Sequence, residues 1–257
     1  MQLRLIRNAT LKLSYAGRTV LVDPYFAPRH SLPSYTGRSA NPLVDLPVAV
    51  DDIIDGVELV IISHLHSDHF DSVAKQCIAK SLPILCQPGD EDVIRAAGFT
   101  NVTPLEGTTI WQGIAITRRK GSHGLGPVLD KMGSVMGFSL DAPDEPGLYW
   151  AGDSVLYPPV TETIAQTRPQ VIVTHSCSAL WDGVPIVMDA AETVAICRMS
   201  PGSVIVATHM ESLDHATVSR LALRQAAQKE GITADRLLIP ADGETLSFAK
   251  ASSTAVV

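Results

Sequence analysis

Residues 62–71, ISHLHSDHFD, place three histidines and two aspartates within ten positions, directly after the apolar run VELVII. Protonated imidazoles at this spacing would repel one another, and buried neutral imidazoles would leave ring nitrogens without hydrogen-bond partners. A cation removes both problems, because neutral imidazole and carboxylate are good ligands for zinc and similar metals. The spacing of His64, His66, Asp68 and His69 therefore predicts a metal site.

The segments around this cluster alternate between β and α patterns along the whole chain. Short runs such as LRLIR, TLKLSY and RTVLVDP are bounded by turn residues and predict strands. Later segments (PQVIVTH, AAETVAICRM, SVIVAT and HATVSRLALRQAAQKEG) predict two further strands and two helices. Each half of the chain has strands followed by helices, which predicts two packed sheets with helices outside them. We expect one domain over residues 1–257.

Polar residues at helix starts predict capping rather than metal binding. Asp71 precedes the helical pattern SVAKQCIAKSL, and Asp189 with Glu192 has the spacing of a capping box. In the last predicted helix an apolar stripe is expected on one face, formed by Val218, Leu221, Ala222 and Gln225.

The composition excludes several classes of function. The 257 residues are 46% hydrophobic and 18% charged, which is typical of a globular chain. A formal net charge of −7 argues against a nucleic-acid partner. No apolar stretch approaches the roughly 20 residues that span a bilayer, and the first residues do not resemble a signal peptide. The four cysteines have no CxxC spacing, so we expect reduced thiols in a cytoplasmic protein with no membrane partner.

The motif HxHxDH at His64, His66, Asp68 and His69 resembles the signature of the metallo-β-lactamase superfamily. The segment TLKLSYAGRTVLVDPY is similar to the first hairpin of that superfamily. The resemblance implies an α/β fold, the four-layer αββα sandwich. The pieces VDPYF and MDAAET are similar to the L-ascorbate-6-phosphate lactonase-like branch of metal-dependent hydrolases.

Three later residues stand in the order and context of the remaining ligands of the superfamily: His123 in KGSHG, Asp153 in YWAGDS and His209 in VATHME. The resemblance implies two divalent metal ions, with zinc first and manganese or iron as alternatives. One ion would be held by His64, His66 and His123. The other would be held by Asp68, His69 and His209, with Asp153 bridging the two.

Several residues keep a second interpretation. His123 lies between glycines and is otherwise a loop residue. His175 competes with His209, because both end apolar strands, and we prefer His209 as the ligand; His175 then supports a ligand, faces the substrate, or is a core residue that bonds a carbonyl. Asp23 either orients a ligand imidazole or forms an Asp-Pro turn.

The substrate pocket is expected beside two loops. The long segment 27–47 and the segment SCSALWDGVP place Tyr35, Trp181 and Asp182 near the site, as substrate contacts or as residues that pin a loop.

The implied function is hydrolysis of a small-molecule lactone or carboxylic ester by a metal-bound hydroxide. Asp68 and His209 are assigned catalytic roles, Asp68 as ligand or as base. One alternative is a phosphodiesterase or other phosphoester hydrolase at the same site. Another is a non-catalytic metal-containing binding module. Hydrolysis of β-lactams is the least favoured reaction. His66 stands where related oxygen-reducing diiron proteins carry glutamate, which favours hydrolysis. The resemblance also implies a homo-oligomer.

Overall fold

The β-rich segments that open the chain form one edge of a first sheet in the computed structural model, which describes residues 1–250. β1, β2 and β3 run antiparallel, and β3 to β6 run parallel. In spatial order the seven strands are β16 (Thr245–Ser247), β1 (Gln2–Arg7), β2 (Thr10–Tyr15), β3 (Arg18–Val22), β4 (Leu59–Ile62), β5 (Ile84–Cys86) and β6 (Val102–Pro104).

The second sheet repeats this mixed topology. Its parallel half begins at β15 and its antiparallel half ends at β7. In spatial order the seven strands are β15 (Leu237–Leu238), β14 (Val204–Thr208), β11 (Val171–His175), β10 (Leu148–Trp150), β9 (Met136–Asp141), β8 (Ile114–Lys120) and β7 (Thr108–Trp111). A separate hairpin pairs β12 (Leu180–Trp181) with β13 (Val184–Pro185).

The helices lie outside the two sheets, and several have the caps that the sequence predicted. Asp71 accepts hydrogen bonds from the first turn of α2, and the capping box of Asp189 and Glu192 opens α6; both predictions are confirmed. The helices are α1 (Val50–Ile54), α2 (Ser72–Cys77), α3 (Glu91–Ala96), α4 (Leu129–Met132), α5 (Pro158–Thr167), α6 (Ala190–Met199) and α7 (Arg220–Lys229).

Successive residues of the central strands face different layers. In β4, Leu59 and Ile61 pack into the core between the sheets, whereas Val60 and Ile62 pack against the helices of the first sheet. This alternation explains why the four residues of β4, LVII, are all apolar, since both faces of the strand are covered. The order helix, sheet, sheet, helix confirms the predicted αββα sandwich.

The apolar stripe predicted for the last helix is wrong. Ser219 caps α7 by accepting from the backbone N–H of Ala222, so Val218 precedes the helix. Leu221 is 66% exposed, and the buried residues are Leu223 and Ala227. These two lie four positions apart and face the second sheet, which sets a different inward face from the one that Val218 suggested.

Among residues 1–250, no helix combines the length and the apolar character needed to cross a membrane.

β9 and β10 approach each other closely at Gly137, which leads to a stability prediction. A Cβ atom on Gly137 would lie 2.7 Å from the carbonyl oxygen of Trp150, a backbone atom that cannot move aside cheaply. We expect Gly137→Ala to lower the free energy of unfolding by about 1–3 kcal/mol, the usual cost of overpacking. Urea denaturation followed by circular dichroism measures this change.

Gly147→Ala is the matched control, because a Cβ there meets no atom within 4 Å. Equal urea midpoints for the two variants would contradict the close approach.

Candidate metal centre

The candidate site lies where strands of both sheets end. The carboxyl ends of neighbouring parallel strands meet at one edge of a sheet, and this edge is where such folds bind ligands. Asp23 follows β3, the HxHxDH motif follows β4, His123 follows β8, Asp153 follows β10, His175 ends β11 and His209 follows β14.

A first group of donors is formed by His64, His66, His123 and Asp153, whose donor atoms all lie within 4.8 Å of one another. Asp153 Oδ2 is 3.8 Å from His64 Nε2 and 3.3 Å from His123 Nε2. His66 is half-buried, and the other three side chains are buried. The structure thus brings together the three histidines predicted for one metal, with Asp153 beside them.

A second group of donors is formed by His69, Asp153, His175 and His209, again within 4.8 Å of one another. Asp153 Oδ2 is 3.2 Å from His69 Nε2, and Asp153 Oδ1 is 3.6 Å from His209 Nε2. Asp153 therefore belongs to both groups, which is the position that a bridging carboxylate requires.

Asp68 lies beside the second group. Its Oδ2 is 3.0 Å from His209 Nε2 and 3.5 Å from His69 Nε2. Asn8, in the turn between β1 and β2, donates from Nδ2 to Asp68 Oδ2 at 3.2 Å and to the Asp68 carbonyl at 3.1 Å. Its φ of 58° is tolerated well by asparagine, so a short turn after β1 holds the Asp68 carboxylate in place.

His175, the residue that the sequence analysis weighed against His209, also lies at the site. Its Nδ1 is 2.6 Å from Asp153 Oδ1, so both histidines belong to the site rather than competing for one place. The signal was present, because both end apolar strands. β11 and β14 are parallel neighbours in which His175 pairs with Thr208, and the register brings the two histidines together.

Asp23 determines which nitrogen of His69 carries the proton. Its Oδ2 accepts hydrogen bonds from Ser63 Oγ and from His69 Nδ1, each at 2.7 Å. Because a carboxylate accepts, the proton of neutral His69 sits on Nδ1 and the Nε2 lone pair points at Asp153. Asp23 thus orients the imidazole of His69, as predicted, and the role of His69 as a ligand stays a prediction.

The same reasoning fixes His64 and His123. Ser63 Oγ donates its one proton to Asp23, so it accepts from His64 Nδ1 at 3.0 Å. His123 Nδ1 lies 2.7 Å from the carbonyl oxygen of Ile186, which can only accept. Both imidazoles therefore present an Nε2 lone pair to the site, and His64 Nε2 is buried with no hydrogen-bond partner.

These donors fit divalent metal ions. Lone pairs of at least three imidazoles converge on the buried carboxylate of Asp153, and lone pairs that face one another repel unless a cation lies between them. Neutral imidazole with carboxylate suits zinc, manganese and iron.

The electrostatics of the site agree with this requirement for positive charge. Burial lowers the pKa of His64 well below its ordinary value, and the neighbouring His69 and His66 lower it further. His69 is also buried, which opposes protonation, yet the carboxylates of Asp153, Asp68 and Asp23 raise its pKa to about 10. A proton on His69 Nε2 meets this negative charge in the absence of a metal, so proton and metal compete for that nitrogen.

A cavity of about 230 Å³ opens onto the two donor groups. Tyr35 and Trp181, both expected near the site, line it, whereas Asp182 lines an adjoining cavity. The sequence analysis missed Lys131, Met132, Ile186 and His215, which complete the wall. No local pattern singles them out, because they reach the cavity only through the packing of their segments.

The contact between Asp23 and His69 predicts the effect of one substitution on metal affinity. Asp23→Asn keeps the shape of the side chain and tolerates its φ of 44°, but it removes the charge that holds the His69 proton on Nδ1. We expect zinc affinity to fall by about 10- to 100-fold, the usual effect of losing such a partner. Competition with a chromophoric chelator measures the affinity.

Asp144→Asn is the matched control, since Asp144 is exposed and also has a positive φ, of 61°. The role of Asp23 is refuted if both variants bind zinc as tightly as the unmodified protein.

The raised pKa of His69 predicts that metal binding releases a proton. Because that pKa is about 10, a metal must displace a proton from His69 Nε2 at pH 7. We expect zinc affinity to rise about tenfold per pH unit for each proton displaced, until the pH passes the pKa of His69. Isothermal titration calorimetry in two buffers of different ionisation enthalpy counts the protons. Binding heats that do not depend on the buffer would contradict this mechanism.

Comparisons with known proteins agree with the geometry. The family model described as "Beta-lactamase superfamily domain" matches residues 18–210. The curated "UPF0173 protein YddR" of Bacillus subtilis strain 168 is 36% identical over 255 residues, covering 96% of this chain and 100% of that protein.

Two solved structures are similar over nearly their whole length. The isothiocyanate hydrolase from Delia radicum gut bacteria has 36% sequence identity and a TM-score of 0.92, covering 97% of this chain and 100% of that one. A possible metal-dependent hydrolase from Veillonella parvula has 33% identity and a TM-score of 0.93, covering 96% and 99%.

The narrower likeness to the ascorbate-6-phosphate lactonase-like branch stays a prediction, because none of these three proteins carries that description. With a family model over most of its length and a full-length relative at 36% identity, the chain belongs to the metallo-β-lactamase superfamily and, within it, to the UPF0173 metal-dependent hydrolases.

Proposed function

We propose that this metal-dependent hydrolase cleaves a small, neutral molecule with an electrophilic carbon, and that an isothiocyanate is its substrate. The observation that carries the proposal is the convergence of imidazole lone pairs and the Asp153 carboxylate on the floor of a small cavity whose walls are largely apolar. Such a floor suits hydrolytic metal ions, and such walls suit a neutral substrate.

The seven predicted residues and His175 would hold the metal ions. His64, His66 and His123 would form one site, His69, His209 and Asp68 or His175 the other, and Asp153 would be shared. When bound, divalent ions at such a site supply Lewis acidity and make water nucleophilic near neutral pH.

Asp68 is placed to handle the proton. Burial opposes its ionisation, but His69 and His209 lower its pKa well below the ordinary value, so Asp68 Oδ2 is an acceptor at neutral pH. Asn8 and His209 fix that oxygen through contacts of 3.2 and 3.0 Å. Asp68 Oδ2 would take a proton from the attacking water and deliver it to the leaving atom, while His209 orients Asp68.

The walls of the cavity favour an uncharged substrate. Met132, Trp181 and Ile186 supply apolar surface, and Tyr35 adds a ring. Among the described residues, Lys131 is the one permanently cationic side chain of that wall. Apart from the metal ions, this wall offers the negative charge of a phosphodiester one cationic side chain, so we prefer a neutral substrate and keep the phosphodiesterase as an alternative.

The choice of isothiocyanate is supported by the full-length likeness to a solved isothiocyanate hydrolase at 36% identity. In that reaction water adds to the central carbon of R–N=C=S, and the nitrogen leaves as the amine R–NH₂ with release of COS. The lactone or carboxylic ester expected from the sequence is the second candidate, since it is also a neutral carbon electrophile that this cavity admits.

A panel of substrates tests the proposal. The zinc-loaded protein is assayed with phenethyl isothiocyanate, γ-butyrolactone, p-nitrophenyl acetate and bis(p-nitrophenyl) phosphate, and amine, acid or nitrophenol release is measured. We expect the highest kcat/KM for the isothiocyanate. We expect His64→Ala and Asp153→Ala to lower it by on the order of 10³-fold or more while circular dichroism shows a retained fold.

His30→Asn is the control for the histidine substitution, because His30 is exposed and has a φ of 59° that asparagine tolerates. A protein that binds zinc at this site and turns over none of the four substrates would instead support the binding module. Preference for the phosphodiester would replace the neutral-substrate proposal.

A further inference from the structure

Two cavities meet at three side chains beside the metal centre. The inner cavity, of about 230 Å³, is lined by the donors His66, Asp68, His123 and Asp153, and an outer cavity of about 430 Å³ adjoins it. Tyr35, Trp181 and His215 line both. These three residues, called here the partition, separate the place where chemistry would occur from a larger chamber that the proposed reaction leaves unexplained.

We propose that the outer cavity binds the organic substituent of the substrate, an aryl or alkyl group, and that the partition decides how large a substituent is accepted. The inference rests on the proposed function, because it names the part of the substrate that lies beyond the reacting carbon. The inner cavity alone is smaller than the roughly 300–1,000 Å³ typical of small-molecule sites, and the two cavities together fall inside that range.

The chemistry of the outer cavity favours an uncharged group. Leu180 and Trp181 give it an apolar side. Its cationic residue, Arg38, donates from Nε to Thr36 Oγ1 at 3.0 Å and from its guanidinium to the Asp214 carbonyl. That cation is therefore hydrogen-bonded to Thr36 of its own loop and to the backbone of Asp214, and Asp182 adds an opposite charge to the wall. A neutral substituent can pack against the apolar side without breaking those hydrogen bonds.

One side of the partition is a loop fastened by a single carboxylate. Asp214 accepts hydrogen bonds from Ser34 Oγ, from the Tyr35 backbone N–H at 3.0 Å and from Thr36 Oγ1 at 2.6 Å. The Tyr35 hydroxyl lies 2.8 Å from Ser67 Oγ, inside the HxHxDH motif. The ring of Tyr35 is thereby fixed against the metal centre at one end and against the loop at the other.

His215 completes this side. Its ring meets that of Tyr35 edge-on, with centroids 4.9 Å apart and planes at 83°. Its Nδ1 is buried without a hydrogen-bond partner, and the residue borders both cavities. An imidazole in this position gives the passage an adaptable polar atom next to an apolar face.

The other side of the partition is the β12–β13 hairpin. Asp182 and Gly183 make its two-residue turn with φ of 49° and 79°, a turn that Asp-Gly favours. The strand that leaves the hairpin reaches Ile186, whose carbonyl accepts from His123 Nδ1. An isolated two-residue ladder is marginally stable, so Trp181 sits on an element that can yield to a larger substituent.

Filling the outer cavity tests the proposal. Leu180→Trp enlarges a side chain of the chamber on an exposed part of the hairpin, where Leu180 is 36% exposed. The ratio of kcat/KM for phenethyl over methyl isothiocyanate is expected to fall about tenfold. Trp181→Ala, which opens the partition, is expected to raise the ratio for naphthylmethyl over methyl isothiocyanate by a similar factor.

Val184→Trp is the matched control. Val184 lies on the same hairpin, is 38% exposed and lines neither cavity, so its substitution is expected to keep both ratios. A ratio that is equally insensitive to Leu180→Trp and Val184→Trp would overturn the subsite.

A binding measurement separates this inference from the proposed reaction. N-phenethylformamide and N-methylformamide, which are neutral analogues without the reactive carbon, are titrated into the zinc-loaded protein by calorimetry. Tighter binding of the phenethyl compound that Leu180→Trp weakens supports the subsite, even where no isothiocyanate is hydrolysed. Equal affinity for both compounds in all variants refutes it, whatever the enzyme turns over.

Discussion

The site depends on one electrostatic constraint, the crowding of acceptor atoms around the Asp153 carboxylate. His123 and His69 place Nε2 at 3.3 and 3.2 Å from its Oδ2, and their Nδ1 protons are already committed to Ile186 and Asp23. A buried arrangement of this kind is unfavourable until positive charge enters it. A proton on His69 Nε2 offsets part of this cost, and a metal ion that replaces it would offset more, which couples metal binding to the stability of the strand ends.

The sandwich is what makes this crowding achievable. Asp23 and the HxHxDH motif come from the first sheet, whereas His123, Asp153, His175 and His209 come from the second. The distances between donors therefore depend on the relative position of the two sheets. The core that the sheets share keeps that position fixed. Metal geometry tolerates only small errors, so a centre split between two sheets requires a dense core behind it.

The strands and the HxHxDH cluster could be predicted from local patterns, whereas His123, Asp153 and His209 were predicted from the resemblance to the superfamily. Strands buried on two faces have continuous apolar runs, and the residues that follow them carry the chemistry, as Asp68 and Asp153 do. The contacts that the sequence analysis missed depend on packing between segments that are distant along the chain. Asn8 reaches Asp68 across 60 positions, His175 joins His209 through strand register, and His215 reaches the cavity through its contact with Tyr35. The prediction of the inward face of α7 was wrong because the helix is capped at Ser219, after Val218.

The metal donors and the wall of the cavity lie on different elements of the fold. The donors lie at the ends of strands that the core holds in place, whereas Tyr35 lies on a loop that Asp214 fastens and Trp181 on a hairpin with a two-residue ladder. A substitution in the loop or the hairpin alters the wall and leaves the donors where the sheets put them. Two hydrogen bonds connect the cavity wall with the candidate metal centre. The Tyr35 hydroxyl contacts Ser67 Oγ, and the carbonyl of Ile186 accepts from His123 Nδ1. A substitution that changes substrate preference would disturb the metal centre through these two contacts. A shift of Tyr35 would move Ser67 of the motif, and a shift of Ile186 would rotate the His123 ring.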